Sequence, residues 1–137
     1  MPDFALDPRL DADTTPVTDL PLSTLRLARD ARFPWLILVP RRAGLAEIID
    51  LEEADRAALF AEITLVSRAL RAATRCDKLN VAALGNQVRQ LHVHVIARFA
   101  TDEAWPAPVW GRGSPVAYDA AARDRLVADL LAHLSTP

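Results

Sequence analysis

The sequence has a single cysteine among its 137 residues and no long hydrophobic run. One cysteine, Cys76, excludes an intrachain disulfide and suits a reducing compartment. The longest apolar run, residues 35–40, is far shorter than the roughly 20 residues that a transmembrane helix needs. Residues 1–4 also lack the basic and apolar regions of a secretory signal peptide. We therefore expect a soluble protein of the cytoplasm that has no membrane partner.

The sequence also lacks a strong charge of either sign. Its 16 basic and 18 acidic residues give a formal net charge of −2, so it has no general basic field of the kind that attracts nucleic acids. We expect no nucleic-acid partner, and an anionic ligand must be held by a local site. The hydrophobic content of 51% is ordinary for a globular protein. The length fits one domain over residues 1–137.

Hydrophobic patterning predicts four strands. The first alternates in polarity, with Leu25 and Leu27 on its inward face, and the second is apolar on both faces, as in a central strand covered on both sides. A turn at Gly85–Val88 is expected to join the last two strands as a hairpin. The predicted strands cover residues 22–29, 35–39, 78–84 and 89–99.

A long helix is predicted between the second and third strands. The signature Asp50-x-x-Glu53 indicates its start, because each side chain can cap a free backbone N–H, and we expect its end near Arg75. One buried stripe is expected at Leu59, Ile63, Val66 and Leu70.

The remaining segments contain one further helix. It is predicted over residues 119–134, while residues 101–115 are expected to form a loop. Residues 1–20 are predicted to be irregular apart from one short helical turn near residues 9–13. The order of the elements does not alternate strand and helix, which predicts an α+β domain with a mainly antiparallel sheet. The apolar stripe of the C-terminal helix is Leu126, Val127, Leu130, Leu131 and Leu134.

Two of the three histidines, His92 and His94, lie two residues apart in the last predicted strand. Because side chains alternate along a strand, Gln90, His92 and His94 are expected on one face. An imidazole pair can divide nucleophilic and proton-transfer or phosphate-binding duties. The opposite face is expected to pack on the core through Leu91, Val93, Val95 and Ala97.

Three interpretations of this pair are open from the residues alone. The histidines can be two polar residues on a solvated face. They can belong to a metal site, but a catalytic zinc site needs a third protein ligand, and the remaining histidine, His133, lies far along the C-terminal helix. They can also form a nucleophilic site for phosphoryl chemistry. We expect neither a metal nor another cofactor.

Residues 80–98 resemble the signature of the histidine triad family. In this chain Asn80–Asn86 (NVAALGN) precede Gln90–Ile96 (QLHVHVI) and Arg98, and in the family an Asn-containing strand precedes three alternating histidines and a basic residue. The segment Trp35–Pro40 (WLILVP) also resembles an earlier strand of the family.

The resemblance covers about residues 20–100, which we take as the core of the domain, with a C-terminal loop and helix at 101–137. The expected fold is α+β. It has a mainly antiparallel five-stranded sheet, one long helix across the sheet and a C-terminal helix.

The resemblance implies roles for the residues of the triad strand. In the family, the middle histidine attacks the α-phosphorus of a nucleotide, and water hydrolyses the resulting nucleotidyl-histidine; this position matches His92. The third position matches His94, which is implied to hydrogen-bond the phosphate or the bridging oxygen. The first position is Gln90, a departure, because glutamine cannot carry a proton at neutral pH. Family members often have a histidine where this chain has Trp35, and we hypothesise that the two departures form one rebuilt corner of the site.

Five further residues are candidates for nucleotide binding, each with a purely structural alternative. Asn86 and Gln87 lie in the turn where the family supplies donors to the phosphate, although turn formation alone explains them. Asp30 is a candidate for the ribose hydroxyls, although loop aspartates are usually solvated. Asn80 and Arg98 are candidates for contacts with the nucleotide and its phosphates, although Asn80 can equally be a satisfied polar residue of its strand and arginines at strand ends are commonly just exposed.

The expected function is that of a nucleotide hydrolase or nucleotidyl transferase. Its substrate would be a purine nucleotide with a substituted α-phosphate, such as a dinucleoside polyphosphate or a phosphoramidate. The alternative, favoured by Gln90, is a nucleotide-binding regulatory or scaffold protein with little turnover. The resemblance also implies a homodimer with the two sheets joined edge to edge, in which Trp105 and Trp110 line the partner's site or pack the dimer.

Overall fold

A five-stranded antiparallel sheet forms the centre of the fold in the computed structural model, which describes residues 3–135. The order of the strands across the sheet is β1-β2-β3-β5-β4, and every neighbouring pair is antiparallel. The strands are β1 Thr14–Asp19, β2 Ser23–Ala28, β3 Trp35–Pro40, β4 Lys78–Ala82 and β5 Val93–Arg98. The helices are α1 Pro8–Asp13, α2 Glu53–Thr74 and α3 Ala120–Leu134, with a short 3-10 helix at Ile48–Asp50. The predicted α+β fold is confirmed.

Strand β3 lies in the middle of the sheet and is covered on both sides, as its apolar sequence predicts. Leu36 and Leu38 point towards the helices and pack in a cluster with Leu70 of α2 and Leu130 of α3. Ile37 and its neighbours point the other way and pack against the N-terminal segment. Each fully buried leucine contributes roughly 1.5–3 kcal/mol, so this strand organises both halves of the core.

The N-terminal segment is more ordered than predicted. Helix α1 begins at Pro8, and the Asp7 side chain caps it by accepting from the backbone N–H of Arg9, which agrees with the expected helical turn. The expectation of irregular structure is wrong for residues 14–19, which form β1 on the edge of the sheet. The register shifts between Pro16 and Thr18, and this irregularity breaks the alternation by which a strand is recognised in a sequence.

Helix α2 ends where predicted, near Arg75, but the capping box predicted between Asp50 and Glu53 is not observed at its start. Asp50 accepts from the backbone N–H of Glu47 in the preceding 3-10 helix, and Glu52 is the N-cap of α2 without a side-chain cap bond. The 3-10 helix therefore adds one turn before α2 begins. At the other end, Arg75 adopts a left-handed conformation with φ 55° directly after Thr74. Leu59, Val66 and Leu70 of the predicted stripe are fully buried, and Ile63 is half-buried.

Glu62 of α2 is buried although the stripe pattern does not include it. Its two carboxylate oxygens accept from the backbone N–H groups of Leu22, at 2.7 Å, and Ser23, at 3.0 Å. These groups lie at the start of β2, where the chain returns into the sheet after β1. The carboxylate thus satisfies two buried donors and joins the helix to the sheet.

Strands β4 and β5 pair as predicted, with Lys78 opposite Arg98. The connection is longer than the expected turn, because it runs over residues 83–92 and β5 begins only at Val93. Within the connection, Leu91 donates its N–H to the carbonyl of Leu45 and so leaves the β4 ladder. Gln90 therefore lies outside the strand.

Helix α3 packs on the same side of the sheet as α2. Asp119 caps it by accepting from the N–H of Ala122, and Leu130 is fully buried. Leu131, which was expected in the buried stripe, is 36% exposed, because only one narrow side of the helix reaches α2. Among residues 3–135, no helix combines the length and apolarity required to cross a bilayer.

Candidate active site

A cavity of about 740 Å³ opens on the side of the sheet opposite α2 and α3. This size lies within the range of small-molecule sites, which is about 300–1,000 Å³. Helix α1 and the connections at 84–88 and 110–115 form its rim, and the floor includes Ile37 of β3 and both His92 and His94.

The two imidazoles lie side by side on this floor. Their ring centroids are 4.9 Å apart and the rings are tilted by 71°. His94 is the second residue of β5, and His92 directly precedes the strand. The alternate residues Leu91, Val93 and Val95 are buried in the core beneath them, as the strand period predicts. The histidines are 7% and 6% exposed, so they meet solvent only through the cavity.

A backbone carbonyl orients His92. Its Nδ1 lies 2.6 Å from the carbonyl oxygen of Gln90. Since a carbonyl oxygen can only accept, Nδ1 of the neutral ring carries the proton. The other nitrogen, Nε2, therefore holds a lone pair.

His94 has the opposite tautomer because of Trp35. The indole Nε1–H donates to Nδ1 of His94 at 2.9 Å, and an indole can only donate. Nδ1 is therefore the acceptor, and the proton of the neutral ring lies on Nε2. Burial and the neighbouring His92 lower the pKa of His94 to about 4. The site thus pairs one ring that offers a lone pair with a second ring that offers an N–H.

Trp110 completes an aromatic wall around His94. Its ring lies 5.1 Å from His94 and 5.7 Å from Trp35, edge-to-face in both cases. Such contacts restrain the imidazole and exclude water from it. The family resemblance places Trp110 towards a partner subunit; within this chain it lines the cavity. No motif marks it, and only the folded loop places it here. Trp105 lies over the guanidinium of Arg98.

Gln90 contacts the N-terminal segment through its side chain. Its Oε1 accepts from the N–H of Asp7, and its Nε2 donates to the carbonyl of Ala5, both at 2.9 Å. The contacts run in the order Gln90, His92, His94, Trp35, so the two imidazoles separate the two departures from the family pattern. Trp35 nevertheless packs in one cluster with Phe4 and Leu6 of the N-terminal segment that Gln90 holds, so one rebuilt corner of the site stays a hypothesis.

Asn86, Gln87 and Asp30 all line the cavity. The two amides are exposed on its rim, whereas the carboxylate of Asp30 is buried and already bonded. It accepts from the Arg32 guanidinium at 2.8 Å and from the N–H of Val116 at 3.3 Å. Burial acts to raise the pKa of Asp30, but the bonds from Arg32 and Val116 outweigh it, and the pKa lies below its usual value. This engagement favours a structural role over ribose binding.

Asn80 and Arg98 are not brought to the cavity. The Arg98 side chain is 2% exposed and forms a buried ion pair with Asp102 at 2.8 Å. It also donates to Oδ1 of Asn80 and to the carbonyl of Ala107. The Arg98 bonds lower the pKa of Asp102 to about 2. The expected phosphate contact is thus replaced by a network that fastens the loop after β5.

The described residues offer no cluster of three or more histidine, cysteine, aspartate or glutamate side chains able to hold a metal ion. His133 is exposed in the last turn of α3.

Comparisons with known proteins find relatives in sequence and in structure. The HIT domain family model matches residues 9–101. The crystal structure of a histidine triad protein from Bradyrhizobium japonicum is 52% identical, with a TM-score of 0.96 over 97% of this chain and 99% of that chain. Histidine triad proteins from Sinorhizobium meliloti (45% identity, TM-score 0.93, 95% of this chain and 96% of that chain) and Marinobacter aquaeolei (41%, 0.94, 97% of each) are also similar. The comparison with curated proteins finds no match.

Proposed function

The chain belongs to the HIT domain family, and on this premise we propose that it is a nucleotide hydrolase or nucleotidyl transferase. It acts at the α-phosphate of a purine nucleotide through a covalent nucleotidyl intermediate on His92. The observation that carries this proposal is the hydrogen bond from Nδ1 of His92 to the carbonyl of Gln90, which leaves Nε2 as a nucleophile on the floor of the cavity.

The chemistry follows from the two tautomers. Nε2 of His92 attacks the α-phosphorus, and the bond from phosphorus to the leaving group breaks. The N–H of His94 donates to the phosphate as negative charge develops on its oxygens, which stabilises the transition state. Water or another acceptor then attacks the phosphorus and releases His92. Hydrolysis and transfer differ only in this second attack.

The rim of the cavity supplies further contacts for the nucleotide. Asn86 and Gln87 offer amide groups from the 84–88 connection, and the exposed Arg29 offers a guanidinium. These groups are suited to phosphate oxygens. The base and ribose then lie against the apolar part of the lining, which includes Leu10 and Trp110.

Gln90 is a positioning residue in this proposal. Its carbonyl orients the nucleophile, and its side chain holds the segment that continues into α1. Helix α1 contributes Leu10 and Ala12 to the cavity. The residue at the first triad position therefore couples the nucleophile to the wall of the nucleotide site.

A second candidate is a nucleotide-binding regulatory or scaffold protein with little turnover. The side chain of Gln90 favours it, because this amide is bonded to Ala5 and Asp7 and cannot transfer a proton. Tight nucleotide binding by the wild-type protein without any turnover would support this candidate over the enzyme.

The proposed enzymatic activity is tested by incubation of the protein with a diadenosine polyphosphate and with an adenylyl phosphoramidate. We expect His92→Ala to abolish turnover of any substrate used while nucleotide binding is retained. His133→Ala is the matched control, since His133 is exposed on α3, and it should behave as wild type. Mass spectrometry of protein quenched during turnover should detect a nucleotidyl adduct on the peptide that contains His92. Turnover that survives His92→Ala would remove His92 as the nucleophile.

Homodimerisation is part of the same proposal. Strand β4 is one edge of the sheet and pairs only with β5 among the described residues, and Val81 on it is 48% exposed. The opposite edge, β1, contains Pro16 and a register shift, both of which disfavour pairing. Edge-to-edge association through β4 is checked by light scattering on the purified protein. A monomer at micromolar concentration would contradict it.

A further inference from the structure

The partner of His94 restricts what this ring can do. Trp35 donates its indole N–H to Nδ1 at 2.9 Å. An imidazolium would carry a hydrogen on Nδ1 as well, and two donors would then face each other across this distance. Trp110 packs on the same ring, and the residue is 6% exposed. His94 is therefore held as a neutral ring that donates a hydrogen bond from Nε2 but has no proton to give up near neutral pH.

The groups that surround His94 supply no other acid. Trp35 and Ile37 face it from β3, Ala82 lies opposite it on β4, and Trp110 faces it from the loop after β5. The adjacent ring, His92, uses its one proton for the carbonyl of Gln90.

The charged residues of the cavity lining do not change this picture. They are Asp13, Arg29 and Asp30 among the residues that the structure describes. The two aspartates are carboxylates, one of them ion-paired to Arg32, and a guanidinium does not release its proton. The described lining contains no lysine, tyrosine, cysteine or glutamate.

We infer that this site selects nucleotides whose leaving group departs as a stable anion, an inference that rests on the proposed function. The substrate class is an acid anhydride of a nucleoside 5′-monophosphate, such as a dinucleoside polyphosphate. Nucleoside phosphoramidates, which release an amine, are excluded as efficient substrates. Trp35 is the positioning residue that sets this preference through His94.

The bond changes explain the preference. Attack by Nε2 of His92 forms an N–P bond and breaks the bond from phosphorus to the leaving oxygen, whose electron pair departs as a phosphate-type anion. Water then attacks phosphorus and breaks the N–P bond; its oxygen stays on the nucleotide, and one of its protons passes to solvent. Neither step needs an acid from the protein. An amine has to receive a proton before its P–N bond can break, because its anion is far too basic to leave.

The test uses a diadenosine polyphosphate, an adenylyl phosphoramidate and aryl esters of adenosine 5′-monophosphate whose phenols span a wide range of acidity, all near neutral pH. In the wild-type protein, we expect kcat/KM to fall by more than about 100-fold from the most acidic to the least acidic phenol, since general acid catalysis is typically worth 10²–10⁴. Trp35→Phe keeps an aromatic ring but frees Nδ1 of His94, and it should reduce this ratio by about tenfold or more.

Trp105→Phe is the matched control. It makes the same substitution at an indole outside the cavity lining, so the ratio should equal that of wild type. Nitrogen NMR of the wild-type protein gives a readout independent of turnover, and it should find Nδ1 of His94 without a proton and Nε2 with one.

Each remaining outcome is decisive. Turnover that is equally fast with phosphoramidates and anhydrides overturns this inference and leaves the proposed function intact. A protonated Nδ1 on His94 overturns it as well, even if Trp35→Phe fails to fold. Turnover of the phosphoramidate alone overturns the inference only, whereas an absence of turnover with every ester, anhydride and phosphoramidate overturns the proposed function and the inference with it.

Discussion

The carbonyl oxygen of Gln90 lies 2.6 Å from Nδ1 of His92, while the side chain of the same glutamine bonds to Ala5 and Asp7. One residue thus orients the nucleophile through its backbone and holds the N-terminal segment through its amide. A histidine here, as in the family pattern, cannot form both side-chain bonds at once, because a neutral imidazole has its donor and its acceptor on opposite sides of the ring.

We therefore predict that Gln90→His lowers activity, although it brings the residue closer to the family pattern. Gln90→Ala should release the segment that leads into α1 and weaken nucleotide affinity by about tenfold, equivalent to about 1.4 kcal/mol. Amide hydrogen exchange at Asp7 should accelerate in both variants. Arg89→Ala is the control, because this exposed neighbour of Gln90 lies outside the cavity lining. Higher turnover in Gln90→His would contradict this account.

His94 makes the stability depend on pH. Burial, assisted by His92, lowers the pKa of His94 from 6.5 to about 4. Between these values the unfolded chain binds a proton that the folded chain does not, so the free energy of unfolding falls as the pH drops through this window and is fully present above it. The expected loss is about 2–3 kcal/mol near the lower end of the window.

This prediction is checked by urea unfolding of both wild type and His94→Gln at about pH 7.5 and at about pH 4.5. Glutamine does not titrate, so the difference between the two pH values should shrink by most of the expected loss. An unchanged difference in His94→Gln would show that other groups cause the acid sensitivity.

Glu62 should contribute strongly to stability although it does not line the cavity. Removal of its carboxylate in Glu62→Ala leaves the N–H groups of Leu22 and Ser23 without a partner, and we expect a loss of about 2–4 kcal/mol. Glu62→Gln keeps one acceptor oxygen, so its free energy of unfolding should lie between those of wild type and Glu62→Ala. The exposed Glu53 of the same helix is the control, and Glu53→Ala should cost less than about 1 kcal/mol. Equal costs for both alanine variants in urea unfolding would contradict the role of Glu62.

Arg98 should matter for stability and not for ligand binding. Arg98→Met leaves Asp102 buried without its ion-pair partner, which we expect to cost about 3–5 kcal/mol. Arg123→Met, which breaks the exposed pair with Asp124, should cost at most about 1 kcal/mol. At a temperature where both variants are folded, nucleotide affinity should equal that of wild type. A selective loss of nucleotide affinity in Arg98→Met would instead support a contact between Arg98 and the phosphates.

The sequence predicts those parts of the fold that depend on local periodicity. The alternation at 91–97 correctly places two imidazoles over an apolar layer, and the uniformly apolar residues 35–39 correctly predict a central strand. The long helix follows from the spacing of Leu59, Val66 and Leu70. In each case the pattern is a direct consequence of which face a residue buries.

The remaining features depend on contacts between distant segments. Strand β1 forms only because β2 offers it an edge, and the polarity of its residues does not alternate. The partners of Gln90 and Trp35 lie 83 and 59 residues away along the chain, so no local pattern predicts either bond. Trp110 reaches the cavity through a loop whose course is determined by the buried pair of Arg98 and Asp102.

Two of the three tryptophans in the sequence, Trp35 and Trp110, pack edge-to-face within the cavity. Indole emission responds to the polarity and charge around the ring, so a nucleotide that enters the cavity changes the fluorescence of the unmodified protein. The third indole, Trp105, is stacked over Arg98 outside the cavity lining and supplies a steady background. Trp35 and Trp110 therefore also serve as an intrinsic fluorescent probe. Nucleotide binding and release can be followed by stopped-flow fluorescence without a label.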